Sequence, residues 1–131
     1  MVKNEMYNTI SSNNISSNTA NGIYLHNHCN YNAQISSNDI YSNSNSGIRI
    51  ENSSHNYVIT SNTVRKNTNY GIMIVGSYNT VQSCTISENS KHGLFLFADS
   101  NSTISSNTIN GNTYEGIRLH NSTNDLIYTN K

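Results

Sequence analysis

ISSNDIYSN, at Ile35–Asn43, is one nine-residue phrase, I-x-x-N-x-I-x-x-N, and the chain carries it five times. ISSNNISSN begins at Ile10, ITSNTVRKN at Ile59, VQSCTISEN at Val81 and ISSNTINGN at Ile104, and a sixth copy opens with IYTN at Ile127. Three residues beyond each full copy comes a glycine-led strand: GIYLH at Gly22, GIRIE at Gly47, GIMIV at Gly71, GLFLF at Gly93 and GIRLH at Gly116. The glycines are spaced 25, 24, 22 and 23 residues apart. A repeat of this period is one supersecondary unit that buries its apolar face only by stacking on its neighbours.

Apolar residues within each unit fall two apart, the period of a strand, and no run carries helical spacing. Units of 22–25 residues without a helix predict an all-β, right-handed parallel β-helix of about five full coils and a partial sixth. Coils of such a solenoid lie about 4.8 Å apart, so equivalent residues form ladders along the axis. Ile10, Ile35, Ile59, Val81, Ile104 and Ile127 make one inward column, and Ile15, Ile40, Val64, Ile86 and Ile109 a second. Asn18, Asn43, Asn67, Asn89 and Asn112 are expected at a corner, where Asn tolerates left-handed backbone and its amide can bond the coils above and below. The glycine column, Gly22, Gly47, Gly71, Gly93 and Gly116, calls for positive φ or a tight approach.

Composition agrees. Asn supplies 26 of 131 residues, Pro and Trp are absent, and charged residues are only 11 %. A strand paired on both edges cannot spare an N–H, which disfavours Pro. Low charge separates the chain from charge-driven disorder. The net charge is zero, so no whole-chain footprint for nucleic acid exists. No apolar stretch is long enough for a membrane-spanning helix. The chain therefore reads as a single domain, with a short lead-in at 1–7 and repeats over 8–131. The lead-in is too short to cap a coil, and the sixth unit stops inside one. The expectation is a segment of a longer protein, or self-association through the terminal coils. MVKNEMYNTI lacks the apolar core of a signal peptide.

The units resemble the parallel β-helix repeats of the carbohydrate-binding and sugar-hydrolase class. That class includes the NosD-like family, copper-binding periplasmic accessory proteins of nitrous oxide reductase. The resemblance, carried by the I-x-x-N-x-I-x-x-N…G-I-x-L units from about Asn8 onward, implies an extracellular or cell-surface protein that touches polysaccharide. Two other repeat architectures are excluded. Calcium-binding nonapeptide rolls need Asp ladders, whereas Asp39, Asp99 and Asp125 fall at unrelated repeat positions; leucine-rich repeats need Leu columns that are missing.

Chemistry on a β-helix sits on outward positions. The glycine-led strand offers two outward columns, Tyr24, Arg49, Met73, Phe95, Arg118 and His26, Glu51, Val75, Phe97, His120. Met73, Val75, Phe95 and Phe97 form an apolar middle suited to an interface or to stacking of sugar rings. Tyr24, His26, Arg49 and Glu51 are the catalytic candidates: Arg49 could neutralise a uronate carboxylate while His26 or Tyr24 moves protons. Against them, glycoside hydrolysis needs two carboxylates, and Glu51 has no acidic partner on its face. A cross-strand ion pair of Glu51 with His26 or Arg49 is the simpler expectation, and Lys66 with Glu88 repeats it elsewhere. His26, His28 and Cys29, in HNHC, are the candidate metal ligands, copper being the metal the resemblance implies; the motif has no fixed fourth ligand, so no cofactor is expected. His55 and His92 read as surface positions. Cys84 replaces the Asn of the column Asn38, Asn62, Asn107 and should lie in or along the wall. It is separated from Cys29 by roughly 10–14 Å of coil spacing, beyond disulfide reach.

The function these features favour is a non-catalytic, structural or polysaccharide-associated module. The alternatives are a polysaccharide lyase, epimerase or hydrolase, and a NosD-like copper accessory protein.

Overall fold

The computed structural model describes residues 8–26, 32–53 and 56–131, with backbone only at Asn52 and Ser53. In the first coil lie β1 (Thr9–Ser11), β2 (Asn14–Ser16) and β3 (Ile23–Leu25). The second holds β4 (Gln34–Ser36), β5 (Asp39–Tyr41) and β6 (Ile48–Ser53), and the third β7 (Val58–Thr60), β8 (Thr63–Arg65) and β9 (Ile72–Ser77). The fourth holds β10 (Thr80–Gln82), β11 (Thr85–Ser87) and β12 (Leu94–Ser100). The fifth holds β13 (Thr103–Ser105), β14 (Thr108–Asn110) and β15 (Ile117–His120), and β16 (Leu126–Tyr128) opens the sixth. Every pairing is parallel and joins equivalent strands of successive coils. Three sheets result, and none of the described residues is helical. With right-handed crossovers, the rule for parallel strands, this is the right-handed parallel β-helix that the repeat predicts.

The inward columns pair as the repeat dictates: Ile10 with Ile35, Ile59 with Val81, Val81 with Ile104, and Ile104 with Ile127. Ile35, Ile40, Ile48, Ile50, Ile72, Ile74 and Ile86 are fully buried. β-Branched side chains suit such columns because their restricted χ1 costs little on a pleated wall. Ile72→Asn places an amide between Ile48 and Leu94, its rungs on either side. It should lower stability by about 3–5 kcal/mol in urea unfolding. A loss under about 1 kcal/mol would mean that Ile72 does not face the core.

The Asn columns are hydrogen-bonded ladders. Asn38 donates its backbone N–H and its Nδ2 to Oδ1 of Asn62, each at 3.0 Å, and Nδ2 also donates to the Ile10 carbonyl at 2.9 Å. Its own Oδ1 accepts from the N and Nδ2 of Asn13. Asn18, Asn43, Asn67, Asn89 and Asn112 repeat the pattern at the second corner. The left-handed backbone, however, belongs to the residue before each Asn, which corrects the expectation for that column. Ser12, Ser37, Ser61, Ser83 and Ser106 turn the first corner with φ between 54° and 57°. At the second, Lys66 (56°) and Glu88 (55°) do the same as Gly111 (63°). The ladder holds the corner tightly enough that ordinary side chains accept the strain.

Cys84 occupies one ladder rung, buried and free. Its backbone N–H still reaches Asn107 Oδ1 at 2.9 Å, but its sulfur lies 3.9 Å from Asn62 Nδ2, which turns to the carbonyls of Ile35 and Thr60. Burial pushes the thiol's pKa up. Cys29 lies outside the described residues.

Glycine's role is space rather than positive φ. A Cβ on Gly71 would sit 2.5 Å from Ile86 Cγ2 and 2.6 Å from the Gly93 carbonyl oxygen.

Candidate functional site

The third sheet, β3, β6, β9, β12 and β15, presents the outward columns. Tyr24 pairs with Arg49, Arg49 with Met73, Met73 with Phe95 and Phe95 with Arg118. Val75, Phe97 and His120 follow in register, but between Ile50 and Ser53 the pairing slips, so Glu51 leaves its predicted row.

Tyr24, His26, Arg49 and Glu51 do come together. Tyr24 Oη donates to Glu51 Oε2 at 2.7 Å, and Arg49 Nε donates to Oε1 at 2.9 Å, with a second guanidinium nitrogen on the same oxygen. His26 stacks on Tyr24, the ring centroids 5.2 Å apart. The ion pair therefore runs along one strand, where residues two apart share a face, and the link between coils is the tyrosine hydroxyl. This corrects the expected cross-strand pair. The hydrogen bond from Tyr24, followed by that from Arg49, lowers the Glu51 pKa; the same bond raises that of Tyr24. The carboxylate stays ionised and the phenol stays protonated, each engaged by the other. That is the electrostatics of a surface strut. Lys66 and Glu88 form the second expected pair at 3.7 Å, both exposed.

The apolar middle extends further than the strand columns. Phe95 and Phe97 meet edge to face, Phe97 stacks on His120 with centroids 5.3 Å apart, and Tyr70 packs on Phe95 at 5.1 Å. His92 contacts Tyr70, Phe95 and Tyr114. Together with Met73 and Arg118 these side chains line an open groove of about 570 Å³. A second hollow of about 590 Å³ adjoins it at Tyr114, Glu115 and Arg118. Val75 lies half-buried on the same sheet.

His92 is buried, not at the surface, because Tyr70 and Tyr114 from the coils on either side close over it. Its Nδ1 lies 2.7 Å from Glu115 Oε2, close enough for strong electrostatic contact, although the angle falls short of a well-formed hydrogen bond. Burial lowers the His92 pKa and outweighs the opposing pull of Glu115. At neutral pH the imidazole is therefore uncharged. Arg118 approaches the other Glu115 oxygen at 3.6 Å. Tyr70, Tyr114 and Glu115 were missed, and His92 misplaced, because they precede the strand; aligning the two residues before each glycine would have placed them in two further columns.

Of the candidate metal ligands, His28 and Cys29 lie outside the described residues, as does His55. Among the described residues no three His, Cys, Asp or Glu side chains gather as a metal site.

Comparison with known proteins agrees with this architecture. A family model described as "right handed beta helix region" matches residues 1–131. No curated protein sequence matches the chain significantly. Among solved structures, the mannuronan C-5 epimerase AlgE4 A-module of Azotobacter vinelandii superposes with a TM-score of 0.88 at 22 % identity, over 95 % of this chain and 35 % of that one. The periplasmic alginate epimerase AlgG gives 0.89 at 16 % identity, over 97 % and 34 %. A double mutant of AlgG gives 0.83 at 26 % identity, over 96 % and 30 %. The chain thus spans about a third of the length of these neighbours.

Proposed function

The chain belongs to the right-handed β-helix family, and from that premise we propose that it is a non-catalytic polysaccharide-binding module acting outside the cytoplasm. The observation that carries this reading is the open aromatic groove on the third sheet, with Arg118 at its edge. Sugar rings present apolar C–H faces that stack on Phe97 and Tyr114, both exposed, and such contacts contribute beyond the area they bury. Arg118 and His120 supply donors for a sugar carboxylate. The structural neighbours are epimerases of mannuronan or alginate, and one is periplasmic, which supports an acidic polysaccharide as ligand.

The rival, an enzyme of the lyase or epimerase type, draws on the same groove, where a histidine, a tyrosine and an arginine lie side by side. His92 is buried beneath its neighbours, however, and the Tyr24 group is engaged internally. Binding and product analysis together separate the two readings. Two of the nine Tyr, Tyr70 and Tyr114, line the groove and the chain has no Trp, so part of the tyrosine fluorescence reports on the groove. Alginate oligomers should quench it saturably, and Phe97→Ala and Tyr114→Ala should each weaken binding by roughly tenfold. Absence of binding, or binding untouched by both substitutions, would overturn the proposal. Release of unsaturated uronate, seen as new ultraviolet absorbance, would establish a lyase instead, and a change in the mannuronate-to-guluronate ratio by proton NMR an epimerase.

A further inference from the structure

The third corner of the coil carries its own ladder. Tyr57 N–H donates to Asn79 Oδ1, Asn79 N–H to Ser102 Oγ at 2.9 Å, and Ser102 N–H to Asp125 Oδ1 at 3.0 Å. Ser102 also turns its hydroxyl to Oδ1 of Asp99, a residue 2 % exposed. Two carboxyl groups from successive coils, placed at unrelated positions by the repeat, therefore converge on one serine. Each keeps a second oxygen, Oδ2, that is buried and lacks a well-formed hydrogen bond. Buried polar atoms without partners are uncommon and need a reason.

We propose that Asp99 and Asp125 share one proton, and that this proton closes the corner between the fourth coil and the fifth. With Asp99 protonated, its Oδ2–H donates to Asp125 Oδ2 and both orphaned oxygens are satisfied at once. Loss of the proton to solvent leaves two carboxylates at one corner, Asp99 buried and Asp125 half-buried, where like charges repel. The side chains acting most strongly on Asp99 are Ser102, Asp125 and Asn79, and none of them is a cation. Burial first, then the charge of Asp125, raises the Asp99 pKa to about 7, against the favourable bond from Ser102. Asp99 lies at the end of β12, the strand that bears Phe95 and Phe97. Opening the corner thus loosens the C-terminal border of the aromatic groove.

The sign follows from linkage. The folded corner holds its proton more tightly than an unfolded aspartate, which titrates near 4. The stabilising contribution is complete below about pH 4 and is lost as pH rises through about 7. Carboxyl-carbon NMR should show a titration near pH 7 that Asp99→Asn removes. The melting temperature of the unmodified chain should fall by roughly 5–10 °C between pH 5 and 8 more than that of Asp99→Asn. That substitution mimics the protonated acid. Asp125→Asn serves as the second variant: it removes the partner charge but not the burial of Asp99, so it should flatten the profile only in part. Parallel pH profiles for all three proteins, or the absence of any carboxyl titration above pH 6, would overturn the proposal. So would calcium at pH 8 raising the melting temperature of the unmodified chain but not of Asp99→Asn, which would make the pair a cation site.

Discussion

Asn67→Ala should destabilise the protein by about 4 kcal/mol, a large share of the 5–15 kcal/mol that holds a domain of this size folded. Asn67 accepts the backbone N–H and the Nδ2 of Asn43 at 3.1 and 3.0 Å, and donates to the Ile40 carbonyl and to Asn89 Oδ1. Truncation leaves the Asn43 N–H and the Ile40 carbonyl buried without that partner, and each such group costs about 1–3 kcal/mol. Asn43 Nδ2 keeps only its bond to the Ile15 carbonyl. Chemical unfolding of the variant measures the loss. Asn112→Ala is the internal control, since its rung is only half-buried and water can replace what is removed; its cost should be near 1 kcal/mol. Equal effects at the two rungs would contradict a ladder whose strength comes from burial.

Gly71→Ala should do at least as much damage, about 3–5 kcal/mol or outright failure to fold. The added methyl meets the Gly93 carbonyl oxygen at 2.6 Å and Asn89 Nδ2 at 2.8 Å. Neither can withdraw without breaking a coil–coil hydrogen bond: the Gly93 carbonyl accepts the Ile72 N–H at 2.9 Å, and Asn89 Nδ2 serves the ladder. Gly116→Ala is the matched control, because the nearest atom there, Ile109 Cγ2, is 3.4 Å away. Circular dichroism melts of the two variants should differ widely, with Gly116→Ala close to the parent. If Gly71→Ala melts like the parent, the coils are not packed as closely as described.

The fold was legible because a solenoid repeats its reasons. Ile10, Ile35 and Ile59 occupy one environment, so the spacing that fixes one fixes all. The Asn columns were legible for the same cause. What the spacing hid was which residue bends: Asn tolerates left-handed backbone in general, yet here its amide is committed to the ladder and the preceding Ser, Lys or Glu takes the turn. The candidate site was half legible. Strand alternation placed Phe95 and Phe97 outward, but it says nothing about the loop before Gly93, where His92 is buried by tyrosines of two adjoining coils. That burial depends on the size of neighbours 22 residues away on either side, and becomes visible only when the loops too are aligned.

The ladders have a direction. Where Asn follows Asn in the two Asn columns, the rung nearer the N-terminus gives its N–H and side-chain amide, and the rung nearer the C-terminus receives them. A unit that offers on one side what it accepts on the other fits against a copy of itself as well as against its present neighbour. Lengthening the gene by duplicating one unit therefore creates no unmatched amide along the wall, and excising a unit removes none of the partners needed by those that remain. Growth by whole coils is chemically neutral at the ladders, while a change of one residue inside a strand is not. Natural variation in such a chain is accordingly expected to come in steps of a full turn, with single insertions confined to the loops between strands.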